Sequence, residues 1–199
     1  MADTPRTWIE EVRARLASPP PRRQPLGEGR QAAVLVPLYV DAGELWTVLT
    51  QRSAELPQHR SQYAFPGGSR ELGEDPWAAA LREAEEEIAL EPKTVLRLGE
   101  LDELATSNSG FAIVPCVGAV PFPLRTRANQ REIAEIFAVP LSAFANPKLV
   151  EDRPVAIDGK ERMLRIYHIG NRRIWGLTAS ILNNLLRRMG VGTLEDEVN

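Results

Sequence analysis

Residues 76–90, PWAAALREAEEEIAL, constrain this chain more than any other stretch. Trp77, Leu81, Ala84 and Ile88 recur at the three- and four-residue spacing of an α-helix, so they form one apolar stripe that must find a core. Asp75 is a suitable N-cap and Pro76 is tolerated in a first turn, which sets a helix from Pro76 to Ala89. Glu83, Glu86 and Glu87 fall together roughly opposite the stripe, on an expected exposed strip. Carboxylates at this spacing repel by about 0.2–0.5 kcal/mol per pair, so the helix needs a counter-charge. Hard cations such as Mg²⁺ or Mn²⁺ take oxygen ligands in arrangements of this kind, while the plainer alternative is a solvated acidic face. Spacing alone leaves both open.

The context narrows the choice. FPGGSRELGED precedes the helix, and Gly67 and Gly68 permit positive φ angles and close backbone approach, so the loop can fold under the helix and bring Glu74 toward Arg82. Gly68, five residues, Glu74, seven residues and then Arg82–Leu90, REAEEEIAL, resembles the Nudix signature G-x5-E-x7-R-E-U-x-E-E-x-G-U. Two positions depart from it: Ala84 stands at the bulky apolar position and Ala89 where the signature has glycine. The resemblance implies a hydrolase of diphosphates linked to another moiety, dependent on Mg²⁺ or Mn²⁺. It implies that Glu83 and Glu87 are the principal metal ligands and Glu86 a further one, with Arg82 and Glu74 as a supporting ion pair. For the catalytic base, Glu86 is the first candidate and Glu132 the second, the latter reading otherwise as an exposed strand residue. Glu85 matches a variable position.

Upstream, VLTQRSAELPQHRSQYAFPGG resembles the motif of the coenzyme A pyrophosphatase branch, L-L-T-x-R-[SA]-x3-R-x3-G-x3-F-P-G-G. Leu49, Thr50, Arg52, Ser53, Phe65, Pro66, Gly67 and Gly68 match, whereas Pro57 replaces an arginine and Ser61 a glycine. With LGELDELATSNSGFAIVPCVG and IWGLTASIL, the resemblance covers roughly residues 30 to 190. It implies an α/β Nudix fold, an α/β/α sandwich with a mixed β-sheet, that splits coenzyme A or an acyl derivative into 3′,5′-ADP and 4′-phosphopantetheine or its acyl form. Arg52, Arg60, Gly67 and Gly68 are the expected substrate contacts. Hydrolysis of ADP-ribose or another nucleoside diphosphate derivative is the nearest alternative, and a ligand-binding regulator without turnover is a third. A homodimer is an expectation taken from the resemblance alone.

The remaining features fit one core. At 199 residues the chain suits a single domain with decorations, and a net charge of −3 gives no general reason to bind nucleic acid. All but Lys93, Lys148 and Lys160 of the 24 basic residues are arginines, whose planar fork grips phosphate, although a genome rich in G and C produces the same bias. The single cysteine, Cys116, lies in an apolar run and reads as a buried thiol in a reducing cytoplasm. FAIVPCVGAVPFPL is cut by three prolines and falls short of the ~20 residues of a spanning helix, so no membrane partner is expected. AAVLVPLYV and LWTVLTQRS read as a hairpin turning at Gly43, and the segments after the acidic helix as short strands before a long C-terminal helix. The organisation expected is an N-terminal helix and proline-rich connector over 1–25, the hydrolase domain over 26–190 and a tail over 191–199. In it the first helix is an appendage, Arg22 and Arg23 are solvated, and Trp46 and Trp175 are core residues. His59 and His168 are isolated from other metal-ligating side chains.

Overall fold

The expected hairpin opens the core, and a second strand pairing decides the sheet around it. The computed structural model describes residues 5–23, 30–55, 61–105, 112–157 and 159–191. In chain order, α1 (Pro5–Ala17) precedes β1 (Gln31–Asp41), β2 (Glu44–Arg52), β3 (Tyr63–Ala64), β4 (Gly67–Ser69) and α2 (Pro76–Ile88). There follow β5 (Leu96–Glu100), β6 (Leu104–Ala105), β7 (Ala112–Ala119), β8 (Ile133–Pro140) and α3 (Leu141–Phe144). The chain then forms β9 (Val150–Ile157), β10 (Lys160–Ile169), β11 (Arg172–Trp175) and α4 (Leu177–Met189).

β1 and β2 run antiparallel to the pair Asp41↔Glu44, and Ala42 and Gly43 take φ of 49° and 80° in the two-residue turn. Both angles are positive, as a turn matched to strand twist requires. On its other edge β1 lies parallel to β7, from Gln31↔Ala112 to Leu38↔Ala119, which makes the sheet mixed. Its path is β3-β2-β1-β7-β5, with β4 on β1, β6 on β7 and β8 on β2.

Period-two alternation sends side chains to opposite faces. Ala33, Leu35, Val114 and Cys116 pack with Trp77, Ala84 and Ile88 of α2 on one side. Val36, Leu38, Leu49 and Val117 pack on the other with α1, α3 and α4. This is the expected α/β/α sandwich. Cys116 is fully buried, and burial pushes its thiol pKa up, as expected of an inert cysteine. Among the described residues no helix is long and apolar enough to cross a membrane.

Three expectations are corrected. α1 is not an appendage: Val12 and Leu16 are buried in the larger core, and Gly99 leaves the space Leu16 fills, since a Cβ there would stand 2.9 Å from it. Arg22 and Arg23 are not simply solvated: the Arg22 amide donates to Asp102 Oδ1 at 3.0 Å, its carbonyl accepts from the Glu103 amide, and the Arg23 guanidinium pairs with Glu100. Trp175 is not core. It ends β11 with 47% of its surface exposed, while its neighbour Ile174 points inward, and α4 starts only at Leu177, after Gly176 at φ 65°. Trp46 is half-buried, stacked 6.4 Å from Tyr39. β9, β10 and β11 form a separate antiparallel sheet, a division that strand patterns alone did not indicate.

Candidate active site

α2 is built as its residues dictate. Asp75 Oδ1 accepts from the amides of Trp77 at 3.0 Å and Ala78 at 3.3 Å, closing the N-terminus. At the other end Ala89 is left-handed, φ 55° and ψ 32°, and the amides of Ala89 and Leu90 return to the carbonyls of Glu85 and Ala84. Ser61 also sits at φ 55°. Both residues replace a glycine of the motifs described above, and both keep the backbone conformation that glycine adopts without strain. An L-residue there costs about 1–2 kcal/mol.

The loop ahead of α2 folds back as β4 and pairs antiparallel with β1, Ala33 facing Gly68 and Val34 facing Gly67. Neither glycine has room for a side chain. A Cβ on Gly67 would stand 2.4 Å from the Ala33 carbonyl oxygen, and one on Gly68 would stand 2.6 Å from the Glu83 carboxyl group. Arg82 spans loop and helix: Nε donates to Glu74 Oε1 at 3.0 Å, and Nη2 to Glu74 Oε2 and the Ser69 carbonyl, each at 3.1 Å. The Arg82 hydrogen bonds hold the Glu74 pKa below the ordinary range and raise that of Arg82.

The three glutamates do not share one exposed strip. Glu86 is exposed, Glu83 is half-buried, and Glu87 is only 2% exposed under β4 and the end of β2. Glu83 Oε1 accepts from Arg82 Nη1 at 2.9 Å, and Glu86 Oε1 lies 3.6 Å from the same nitrogen. Glu87 has less help: Oε2 accepts from the Gly67 amide at 3.1 Å, and Oε1 lies 3.5 Å from Arg52 Nη1. Burial pushes the Glu87 carboxyl up to about 7, against the Gly67 amide and Arg52, with the charges of Glu83 and Glu132 adding to it. Glu83 is raised by burial as well, opposed by Arg82 and reinforced by Glu86 and Glu132.

Glu132 is therefore no exposed strand residue. It is half-buried in the turn before β8, where its carbonyl accepts from the Ser53 amide at 2.7 Å and Oε1 from Asn129 Nδ2 at 3.3 Å. Its charge bears on both Glu83 and Glu87 because the chain before it is stitched to α2: the amides of Arg127 and Asn129 donate to the carbonyls of Ile88 and Glu87 at 2.9 and 2.8 Å. Periodicity carried no signal for this stitching. The same segment borders an open cleft of about 490 Å³ lined by Ala89, Leu124, Arg125, Thr126 and Arg127, of which sequence patterns singled out only Ala89.

Two observations bear on a metal. The donors gathered here are carboxylate oxygens, which suit hard divalent ions, and Gly68 gives up its side chain so that the Glu83 carboxylate can lie against β4. Among the described residues, however, no three histidine, cysteine or acidic side chains already surround one point, and Arg82 is the cation that answers the like charge on Glu83 and Glu86. The donor chemistry fits a hard divalent ion. Arg60, Pro57 and His59 lie outside the described residues. His168 Nε2 stands 2.8 Å from Glu151 Oε2, away from the glutamates of α2 in sequence and sheet.

Comparison with known proteins agrees with this geometry. The family described as NUDIX domain matches residues 29–158. The chain is 41% identical over 170 residues to the uncharacterized Nudix hydrolase NudL of Pectobacterium atrosepticum, covering 83% of this chain and 86% of that protein. It is 37% identical over 180 residues to the NudL of Photorhabdus laumondii, covering 90% and 95% respectively. Among solved structures, a MutT/nudix family protein from Enterococcus faecalis matches with a TM-score of 0.57 at 15% identity, over 84% of this chain and 64% of that one, a likeness of fold. With its signature residues assembled on a loop-helix unit and relatives matched over most of their length, the chain belongs to the Nudix hydrolase family.

Proposed function

We propose that this Nudix hydrolase cleaves the diphosphate of coenzyme A or an acyl derivative, adding one water to give 3′,5′-ADP and 4′-phosphopantetheine or its acyl form. The observation that carries the reading is the position of Arg52. It belongs to the Leu49–Ser53 stretch that resembles the coenzyme A branch, its Nη1 stands 3.5 Å from Glu87, and its Nε is buried without a hydrogen-bond partner. A guanidinium held beside the acidic cluster with donor capacity to spare supports a phosphate contact there.

Nudix hydrolases generally need divalent metal ions. In this reading Glu83 and Glu87 hold Mg²⁺ or Mn²⁺, with Glu86 as a further ligand. The ion supplies neutralisation of the diphosphate and a more acidic water. Arg82 and Glu74 brace the loop, and Gly67 and Gly68 let the backbone approach the substrate. Arg60 is a further proposed substrate contact. Of the two candidates for the general base, the half-buried Glu132 is better supported than the exposed Glu86, because its charge bears on both Glu83 and Glu87. Glu83 and Glu87, whose carboxyl pKa values are raised by burial, would be kept ionised at neutral pH by a divalent ion held between them.

Pro57, standing where the coenzyme A motif has arginine, favours a second reading: ADP-ribose or another nucleoside diphosphate derivative as substrate. Product analysis after incubation with Mg²⁺ and coenzyme A, ADP-ribose or dinucleoside polyphosphates separates the two. Release of 3′,5′-ADP at the highest kcat/KM is expected. Faster cleavage of ADP-ribose would overturn the coenzyme A assignment, and no cleavage of any of them would revive the regulator.

A further inference from the structure

The cleft at the end of α2 has the chemistry of an anion site that the diphosphate itself does not need. Arg125 and Arg127 line it together with Ala89, Leu124 and Thr126. Several arginines elsewhere on this chain are spent on acids: Arg23 on Glu100, Arg82 on Glu74, Arg165 on Asp152, Arg172 on Glu135 and Arg188 on Asp102. Among the described residues the guanidinium groups of Arg125 and Arg127 have no hydrogen-bond or ion-pair partner. A basic pair near a helix C-terminus has an ordinary explanation, compensation of the exposed carbonyls and the helix dipole. That explanation is weak here. The carbonyls of Ala84, Glu85, Glu87 and Ile88 are already taken by the amides of Leu90, Ala89, Asn129 and Arg127, so the guanidinium groups are not needed to cap the helix.

Position gives the cleft its ligand. Ala89 caps α2 two residues beyond Glu87, and the amides of Arg127 and Asn129 donate to the carbonyls of Ile88 and Glu87, so the cleft adjoins the turn that carries Glu86 and Glu87. A phosphate seated between Arg125 and Arg127 would stand next to the turn of α2 that carries Glu86 and Glu87, where two forks grip a phosphate dianion more strongly than a diester. We propose that Arg125 and Arg127 form a subsite for a phosphomonoester on the nucleotide half of the substrate, a group separate from the diphosphate that is cut. The inference rests on the coenzyme A reading, whose nucleotide half carries such a group at the 3′ position. It also supplies what Pro57 lacks: the cation that the motif places in the preceding loop is provided from the chain that follows β7.

The test uses the full chain with Mg²⁺. Steady-state kinetics on coenzyme A and dephospho-coenzyme A compare wild type, Arg125→Gln with Arg127→Gln, and Arg162→Gln, an exposed arginine on β10, as a control for general charge loss. The double variant is expected to lose roughly 10- to 100-fold in kcat/KM for coenzyme A, carried by KM, and to keep its rate on dephospho-coenzyme A. The control is expected to match wild type. Equal losses on both substrates, no loss, or the same loss in the control would overturn the subsite.

Thermal shifts with 3′,5′-ADP, 5′-AMP and inorganic phosphate give a second readout that needs no turnover. A larger shift with 3′,5′-ADP than with 5′-AMP, abolished in the double variant, supports the subsite. Equal shifts overturn it, as does a shift with inorganic phosphate alone as large as that with 3′,5′-ADP, which marks a site for a free anion. Failure of the wild type to cleave coenzyme A overturns the substrate assignment, while the shifts still decide the subsite.

Discussion

Two buried acids in this protein, Asp102 and Glu87, have opposite electrostatics. Asp102, 8% exposed, sits where the connector after α1, the end of β5 and α4 meet. It accepts from the Arg22 amide at 3.0 Å and Asn184 Nδ2 at 2.9 Å, and it pairs with Arg188 and Arg187. Burial alone would raise its pKa, but the Arg22, Asn184 and Arg188 donors outweigh burial and hold the carboxyl below its ordinary value. Glu87 is buried more deeply, receives one amide and one distant guanidinium, and is pushed up to about 7. A carboxylate surrounded by donors is satisfied; one left short of them has room for a cation, which is the role proposed above for Glu87. If the proposed role of Glu87 holds, burial and donor supply distinguish a structural acid from a working one without reference to motif.

The largest effect that sharpens this contrast is on turnover. Glu87→Gln keeps the shape of the side chain and removes its charge, so kcat should fall by roughly 100-fold or more while the metal-free melting temperature stays equal or rises. Kinetics and thermal melts in chelator check both halves. Turnover like wild type would remove Glu87 from the working group.

Asp102→Asn should do the reverse, costing roughly 3 kcal/mol because Arg188, with a side chain only 5% exposed, loses its counter-charge. Denaturant unfolding measures the loss, and kcat of the folded fraction should be unchanged.

Next in size are two pH windows of opposite slope. The folded pKa of Glu87 is above its unfolded value, so its contribution to metal-free stability is fully present below about 4.5 and is lost as pH rises through about 7. The folded pKa of Asp102 is depressed, so its contribution is present above the ordinary value of 3.8 and is lost as pH falls through the lowered folded value. Melting temperature against pH should show both slopes. Glu87→Gln should erase the upper one and Asp102→Asn the lower, and Mg²⁺ should flatten the upper slope by competing with the proton. An upper slope that survives Glu87→Gln belongs to another group.

The smallest effect is expected at the exit of the acidic helix. Ala89→Gly removes left-handed strain at φ 55° and should add about 1 kcal/mol in denaturant unfolding. A loss would mean that the alanine methyl contributes packing in the cleft that outweighs its backbone cost.

Local order was enough to read α2, its Asp75 cap, the Arg82–Glu74 pair, the β1–β2 hairpin and the family, because these depend on residues within a few turns or one loop of each other. Helical period and turn chemistry act over that range, and the loop-helix unit is continuous in sequence. Only the tertiary structure decided the rest. Helical phase placed Glu83, Glu86 and Glu87 on one strip, but it is β4 and Arg52, brought in by sheet pairing, that bury Glu87 and leave Glu86 exposed. Glu132 reaches the site because Asn129 hydrogen-bonds to the last turn of α2, a contact across 42 positions that no period encodes. α1 became part of the core because Gly99 on β5 makes room for Leu16, and Arg125 and Arg127 met at a cleft because the chain after β7 docks on α2. Sequence determined which local elements form and which chemistry they carry. Burial, and with it the charge state of each acid, is a property of long-range packing, since the environment of a side chain is set by whatever the fold brings against it.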